Sequence, residues 1–236
     1  MAADRLDASR MVPIRPQAEY RAASTVEGGN HREDAVLISV EAMHETGQRL
    51  LGLAENHTFQ ARVADATQLL ADCFHEGHTV YSCGNGGSMC DAMHFAEELS
   101  GRFREDRPPL AAMSISDPAH LTCVANDYGF EQVYSRFVEA HAREGDVLVA
   151  LSTSGTSKNV LAAAEAMKRA GGQVLSLTGR SGSVLGDMAD VDLCVDTTGY
   201  ADRAQEVHIV LLHSLVQGVE DELLLSTPTT ESTREP

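Results

Sequence analysis

The chain has 236 residues, 43% of them hydrophobic, enough for one α/β domain with its own core. Its formal charge of −17 excludes a general nucleic-acid or anionic-membrane surface, because the mean field repels polyanions. A phosphate ligand would therefore be held by backbone N–H groups and hydroxyls rather than by a basic patch.

Residues 1–33 are polar, rich in Ala and Arg and without clean periodicity, so they read as a flexible leader. The apolar h-region of a secretory signal is missing from them. Residues 226–236 read as a disordered tail, leaving 34–225 as the domain. Two N-terminal helices are predicted. Over 36–53, Val36, Val40, Met43, Leu50 and Leu51 form one stripe; over 58–74, Phe59, Val63, Ala66, Leu69, Leu70 and Phe74 form another. The period then changes. Residues 79–83 form a short strand ending in a Gly-rich turn, followed by a helix over 89–100. Strands are predicted at 110–115, 147–151, 174–178 and 191–195, with helices over 160–169 and 201–225. Strands alternating with helices imply a doubly wound, five-stranded parallel sheet flanked by helices, with ligands bound beyond the strands' carboxyl ends.

Every apolar run is broken too early for a membrane span. The five cysteines are scattered without CxxC pairs, as reduced and buried thiols of a cytoplasmic protein would be.

Two turns bear on function. Cys83-Gly84-Asn85-Gly86-Gly87-Ser88 joins a strand to a helix, where glycines permit close backbone approach and the helix start favours an anion. Taken alone it is equally well a tight turn, and it is neither a full GxGxxG nor a P-loop. Ser152-Thr153-Ser154-Gly155-Thr156-Ser157 is more telling. One hydroxyl suffices for an N-cap, and this turn has a surplus.

Polar side chains on apolar helix faces form a third group. Asp91, His94 and Glu98 share a face by helical spacing, and His94 and Glu98 at i, i+4 suit two ligands or an acid–base pair. On the last helix Asp202, Gln205 and His213 fall within about 80° of one another, beside Ile209, Leu212 and Val216. His208 sits at the margin of that stripe and reads as structural. Gln205 and His213 lie about 12 Å apart along the helix. They can share one ion only by leaning together or by coming from different subunits. A composite site at an oligomer interface is the second alternative, and the four side chains close together within one monomer would count against it.

SCGNGGS (82–88), DAMHFAEELSGR (91–102), SISD (114–117), ANDYGF (125–130), REGDVL (143–148), STSG (152–155) and GYADRAQEVHIVLLH (199–213) together bring a resemblance. Over residues 36–225 the chain resembles the sugar isomerase (SIS) domain family, and its HFAEEL and ADRAQEVH segments resemble the branch acting on heptose phosphates. The resemblance implies the SIS fold and conversion of sedoheptulose 7-phosphate to D-glycero-D-manno-heptose 7-phosphate. It implies catalytic roles for Glu98 and His213, and one Zn2+ per subunit on His94, Glu98, Gln205 and His213. Substrate contacts are implied for Asn85, Gly86, Gly87, Ser88, Glu98, Asn126, Asp127, Ser152, Thr153, Ser154, Ser157, Asp202 and Gln205. A homotetramer with active sites between subunits is also implied. Met89 and Thr156 stand where relatives often have His and Asn, and neither has a named role. Two other readings compete: a non-catalytic SIS regulatory module of the replication-initiator-associating type, and an isomerase of another ketose phosphate. The four polar residues on the two helices favour the enzyme, since a pure binder has no chemical need of them.

Overall fold

The computed structural model describes residues 31–197 and 199–225; the leader at 1–30 and the tail at 226–236 lie outside the described residues. The chain divides into two compact units between Gln48 and Arg49. In the first, residues 31–48 are helical, with Val36 and Met43 exposed rather than forming a buried stripe. They belong to α1 (His31–Glu55), which begins inside the segment expected to be leader.

The second unit holds the rest. α2 (His57–His75) starts at an Asn56 cap, whose side chain accepts from the Phe59 N–H, and buries Phe59, Ala66 and Leu70 as its period requires. β1 (Val80–Gly84), α3 (Gly87–Ser100), β2 (Ala112–Ser114) and α4 (Pro118–Tyr128) follow. After a 3₁₀ turn (Phe130–Gln132) come α5 (Ser135–His141), β3 (Val147–Ser152), α6 (Lys158–Arg169) and β4 (Gln173–Thr178). α7 (Val184–Met188), β5 (Val191–Cys194) and α8 (Ala201–Leu225) complete the order. All pairings are parallel, in the order β2-β1-β3-β4-β5. The expected five-stranded doubly wound sheet is therefore present.

Alternation along the strands splits the core in two. Val147, Val149 and Leu151 of β3 face α2, α3 and α8, where Leu70, Phe95, Leu99 and Leu212 are buried. Leu148 and Ala150 face the opposite layer, with Tyr134, Val138, Val160 and Met167. Chain order reverses between β1 and β3, so the β1–α3 and β3–α6 turns open side by side at the switch point.

Several expectations need correction. The edge strand β2 has three paired residues rather than six, and helices fill 118–141, where none was predicted. His208 is fully buried and bonded to the Thr178 carbonyl, in keeping with a structural role. The thiols divide: Cys73 and Cys83 are buried and pushed up to about 12, whereas Cys90 and Cys123 are exposed. Among the described residues, no helix is long and apolar enough to cross a membrane.

Candidate active site

The first turn is held from beneath. Gly86 has φ +58°, a left-handed geometry open to glycine at little cost, and it caps α3. A Cβ on Gly87 would lie 2.8 Å from the Gln205 amide, so the bare backbone lets α8 approach the turn. The Asn85 amide is fixed by a reciprocal pair with Asn159: Nδ2 donates at 2.9 Å and Oδ1 accepts at 2.8 Å. Tyr134, fully buried, donates its hydroxyl to the Gly84 carbonyl and stands 3.3 Å from Asn85 Oδ1. Burial pushes the Tyr134 phenol upward, so it remains a donor.

The second turn gathers its hydroxyls. Ser152 Oγ donates to Ser157 Oγ at 3.1 Å and lies 3.5 Å from Ser154 Oγ, while the Gly155 N–H donates to Ser152 Oγ at 3.2 Å. Ser157 is the N-cap residue of α6, yet its side chain makes no capping bond and turns to Ser152 instead. Capping therefore does not account for the hydroxyl surplus. Lys158, the cation adjoining this turn, is exposed and bonded outward to Glu131 at 2.8 Å. The turn gathers hydroxyls while its adjoining cation bonds elsewhere, a composition suited to an anion held by neutral donors.

Across the switch point, α3 and α8 bring three of the expected site residues together. His94 Nε2 lies 3.3 Å from Glu98 Oε1 and 2.8 Å from His213 Nε2, with the imidazoles edge-on at 5.1 Å. Phe103 stacks on His213 at 5.7 Å. Glu98 is mostly buried, and the ligand atoms of His94, Glu98 and His213 all fall within 4.8 Å of one another. Two imidazole nitrogens and a carboxylate in that span fit a small divalent cation, which would take the place of the proton the imidazoles share. One turn earlier, Asp91 has Oδ2 buried without a hydrogen-bond partner, and burial pushes its carboxyl upward.

The other candidates fall in different places. Gln205, on the same helix as His213, donates its amide to Ser88 Oγ at 3.4 Å and joins the first turn to α8. Thr153 lends its carbonyl to the Gly179 N–H at 3.1 Å. Asn126 and Asp127 stand exposed on α4, bonded to each other at 2.7 Å, and Asp202 pairs with Arg203. Among the described residues no hydrogen bond joins those three to either turn. Tyr134, Asn159 and Phe103 are not among the residues the sequence singles out. Only Asn159, just after the hydroxyl turn, had a local signal.

Comparisons with known proteins show the family and the fold. The SIS domain family matches residues 46–179. The phosphoheptose isomerase of Vibrio cholerae is 52% identical over 171 residues, covering 72% of this chain and 89% of the relative. That of Aeromonas hydrophila is 56% identical over 158 residues, covering 67% and 82%. Among solved structures, a phosphoheptose isomerase from Francisella tularensis superposes with TM-score 0.75 at 31% identity, covering 79% of this chain and 98% of that one. The one from Neisseria gonorrhoeae gives 0.70 at 35% identity, covering 81% and 100%.

Proposed function

The chain belongs to the SIS domain family, in its phosphoheptose isomerase branch, and on that premise we propose that it converts sedoheptulose 7-phosphate to D-glycero-D-manno-heptose 7-phosphate. The observation that supports catalysis, rather than mere binding of a sugar phosphate, is the convergence of His94, Glu98 and His213 on α3 and α8. A regulatory module with the same fold needs only the two turns.

The phosphate docks on Ser152, Thr153, Ser154 and Ser157, with Asn85, Gly86, Gly87 and Ser88 opposite. The open-chain ketose then extends toward Glu98. Glu98 takes a proton from C1, giving an enediolate, and the proton returns to C2; His213 moves the proton between the C1 and C2 oxygens. Hydrogens are only relocated, so no external redox partner is required. His94, Glu98 and His213 would hold one Zn2+ per subunit, with Gln205 as a fourth donor once its amide leaves Ser88. Such an ion supplies polarisation of the substrate carbonyl and stabilises the enediolate charge. Ligation lowers a carboxylate's basicity, so Glu98 serves as ligand and as base in different states.

The working form is a homotetramer with active sites between subunits. Asn126, Asp127 and Asp202 support this reading, because Asn126 bonds to Asp127 and Asp202 pairs with Arg203 rather than with turn residues, which leaves them for a neighbouring subunit's site. A cytoplasmic setting accords with five free thiols. Glu98→Gln tests the assignment: turnover should fall at least ~100-fold while sedoheptulose 7-phosphate still binds. Turnover within about tenfold of the parent would remove Glu98 from the chemistry.

A further inference from the structure

Two of the acid–base residues sit on different helices, and their meeting distance depends on how α3 and α8 are held. Arg107 lies on neither helix. Its guanidinium side chain is 6% exposed, and its Nε donates to Glu220 Oε1 of α8 at 2.6 Å; the Glu220 side chain is 9% exposed. Nη2 donates to the Glu98 carbonyl at 2.7 Å and Nη1 to the Leu99 carbonyl at 2.8 Å, both in the last turn of α3. Helix ends leave such carbonyls unsatisfied, and a cation there also meets the negative end of the helix dipole.

The same fork closes a loop. The Leu110 N–H donates to the Leu99 carbonyl at 3.1 Å, so residues 100–110 leave and return at the point Arg107 grips. That loop sets Phe103 on the His213 ring, with the Arg104 guanidinium 5.2 Å from the Phe103 centroid. Glu220 is two turns beyond His213 on the same helix, so one planar guanidinium ties the backbone of Glu98 to the axial position of His213.

We propose that Arg107, through Glu220 and the α3 carbonyls, is a positioning residue that fixes the spacing of Glu98 and His213. This rests on the assignment of those two residues as the acid–base pair. Lysine keeps the charge but presents a single nitrogen, which cannot replace a fork that reaches Glu220 Oε1 and the carbonyls of Glu98 and Leu99, with the Pro108 carbonyl at 3.2 Å.

The test is Arg107→Lys in the full chain beside Glu98→Gln, measured for kcat, KM, melting temperature and the zinc affinity of metal-stripped protein. The expected result is a kcat about tenfold lower, with KM for sedoheptulose 7-phosphate within about twofold, since a misplaced acid–base pair costs turnover more than binding. Zinc affinity of the stripped protein should fall as well. A lowered melting temperature with parental kcat and zinc affinity would make Arg107 merely structural and overturn the proposal. Should Arg107→Lys fail to fold, Glu220→Gln keeps an acceptor oxygen while removing the charge, and the same criteria decide. If Glu98→Gln retains turnover, it is the acid–base assignment that fails.

Discussion

Gly155→Ala probes the hydroxyl turn through its backbone alone. Gly155 has φ +63°, and a Cβ there would lie 2.3 Å from both Cβ and Oγ of Ser183. An alanine held in left-handed geometry costs about 1 kcal/mol. Ser183 cannot yield freely, because its Oγ accepts from the Gly186 N–H at 3.2 Å as the cap of α7. Displacing it forfeits about 1 kcal/mol of capping. The accompanying backbone shift adds about 1 kcal/mol more. The Gly155 carbonyl also accepts from the Leu185 N–H at 3.0 Å, so the strain reaches the turn itself. Urea unfolding should therefore show a loss of about 3 kcal/mol. KM should rise more than kcat falls, since Glu98 and His213 lie on other elements. Adding Ser183→Gly removes the obstruction at a cost of a few tenths of a kcal/mol in capping and should recover about half the loss. A single variant within about 0.5 kcal/mol of the parent, or a double variant no better than the single, would refute the reasoning.

Two further outcomes follow from buried polar groups. His208 is fully buried with Nε2 donating to the Thr178 carbonyl at 3.3 Å, and burial pushes it down to about 4. Between that value and an unfolded value near 6.5 the unfolded chain binds the extra proton, so stability falls as pH falls through this window, by about 2 kcal/mol from pH 7.5 to 5. His208→Gln should flatten the urea-midpoint profile by that amount; an unchanged slope contradicts it. Tyr134→Phe removes the phenol's bond to the buried Gly84 carbonyl, while Asn85 Oδ1 keeps Asn159 Nδ2, so about 1–2 kcal/mol of stability should be lost. KM for the sugar phosphate should rise severalfold with it, and an unaltered KM would separate Tyr134 from the turn.

What was readable in the sequence was local. The strands β1, β3, β4 and β5 are apolar runs bounded by turn residues. The two functional turns announce themselves by glycines and hydroxyls packed between a strand and a helix. His94 and Glu98 were legible from one helical period. α4 escaped because it buries only Val124, leaving hydrophobic periodicity almost nothing to register. The start of α3 at Gly87 was hidden by the glycines that make the preceding turn possible. Contacts distant in sequence left no local trace: Tyr134 meets Gly84 across 50 residues, and Arg107 meets Glu220 across 113. Helical angle groups Gln205 with His213, but the contact of its amide with Ser88 Oγ over the bare Gly87 backbone has no local trace.

The central claim is that this chain relocates a carbon-bound proton of sedoheptulose 7-phosphate through an enediolate, using Glu98 and His213. The most direct measurement is proton NMR of that substrate incubated with the protein in D2O, wild type beside Glu98→Gln. The account predicts that the wild type forms D-glycero-D-manno-heptose 7-phosphate with solvent deuterium entering at C2, and that Glu98→Gln forms none. No aldose from the wild type, or product and deuterium from Glu98→Gln at the parental rate, would contradict it.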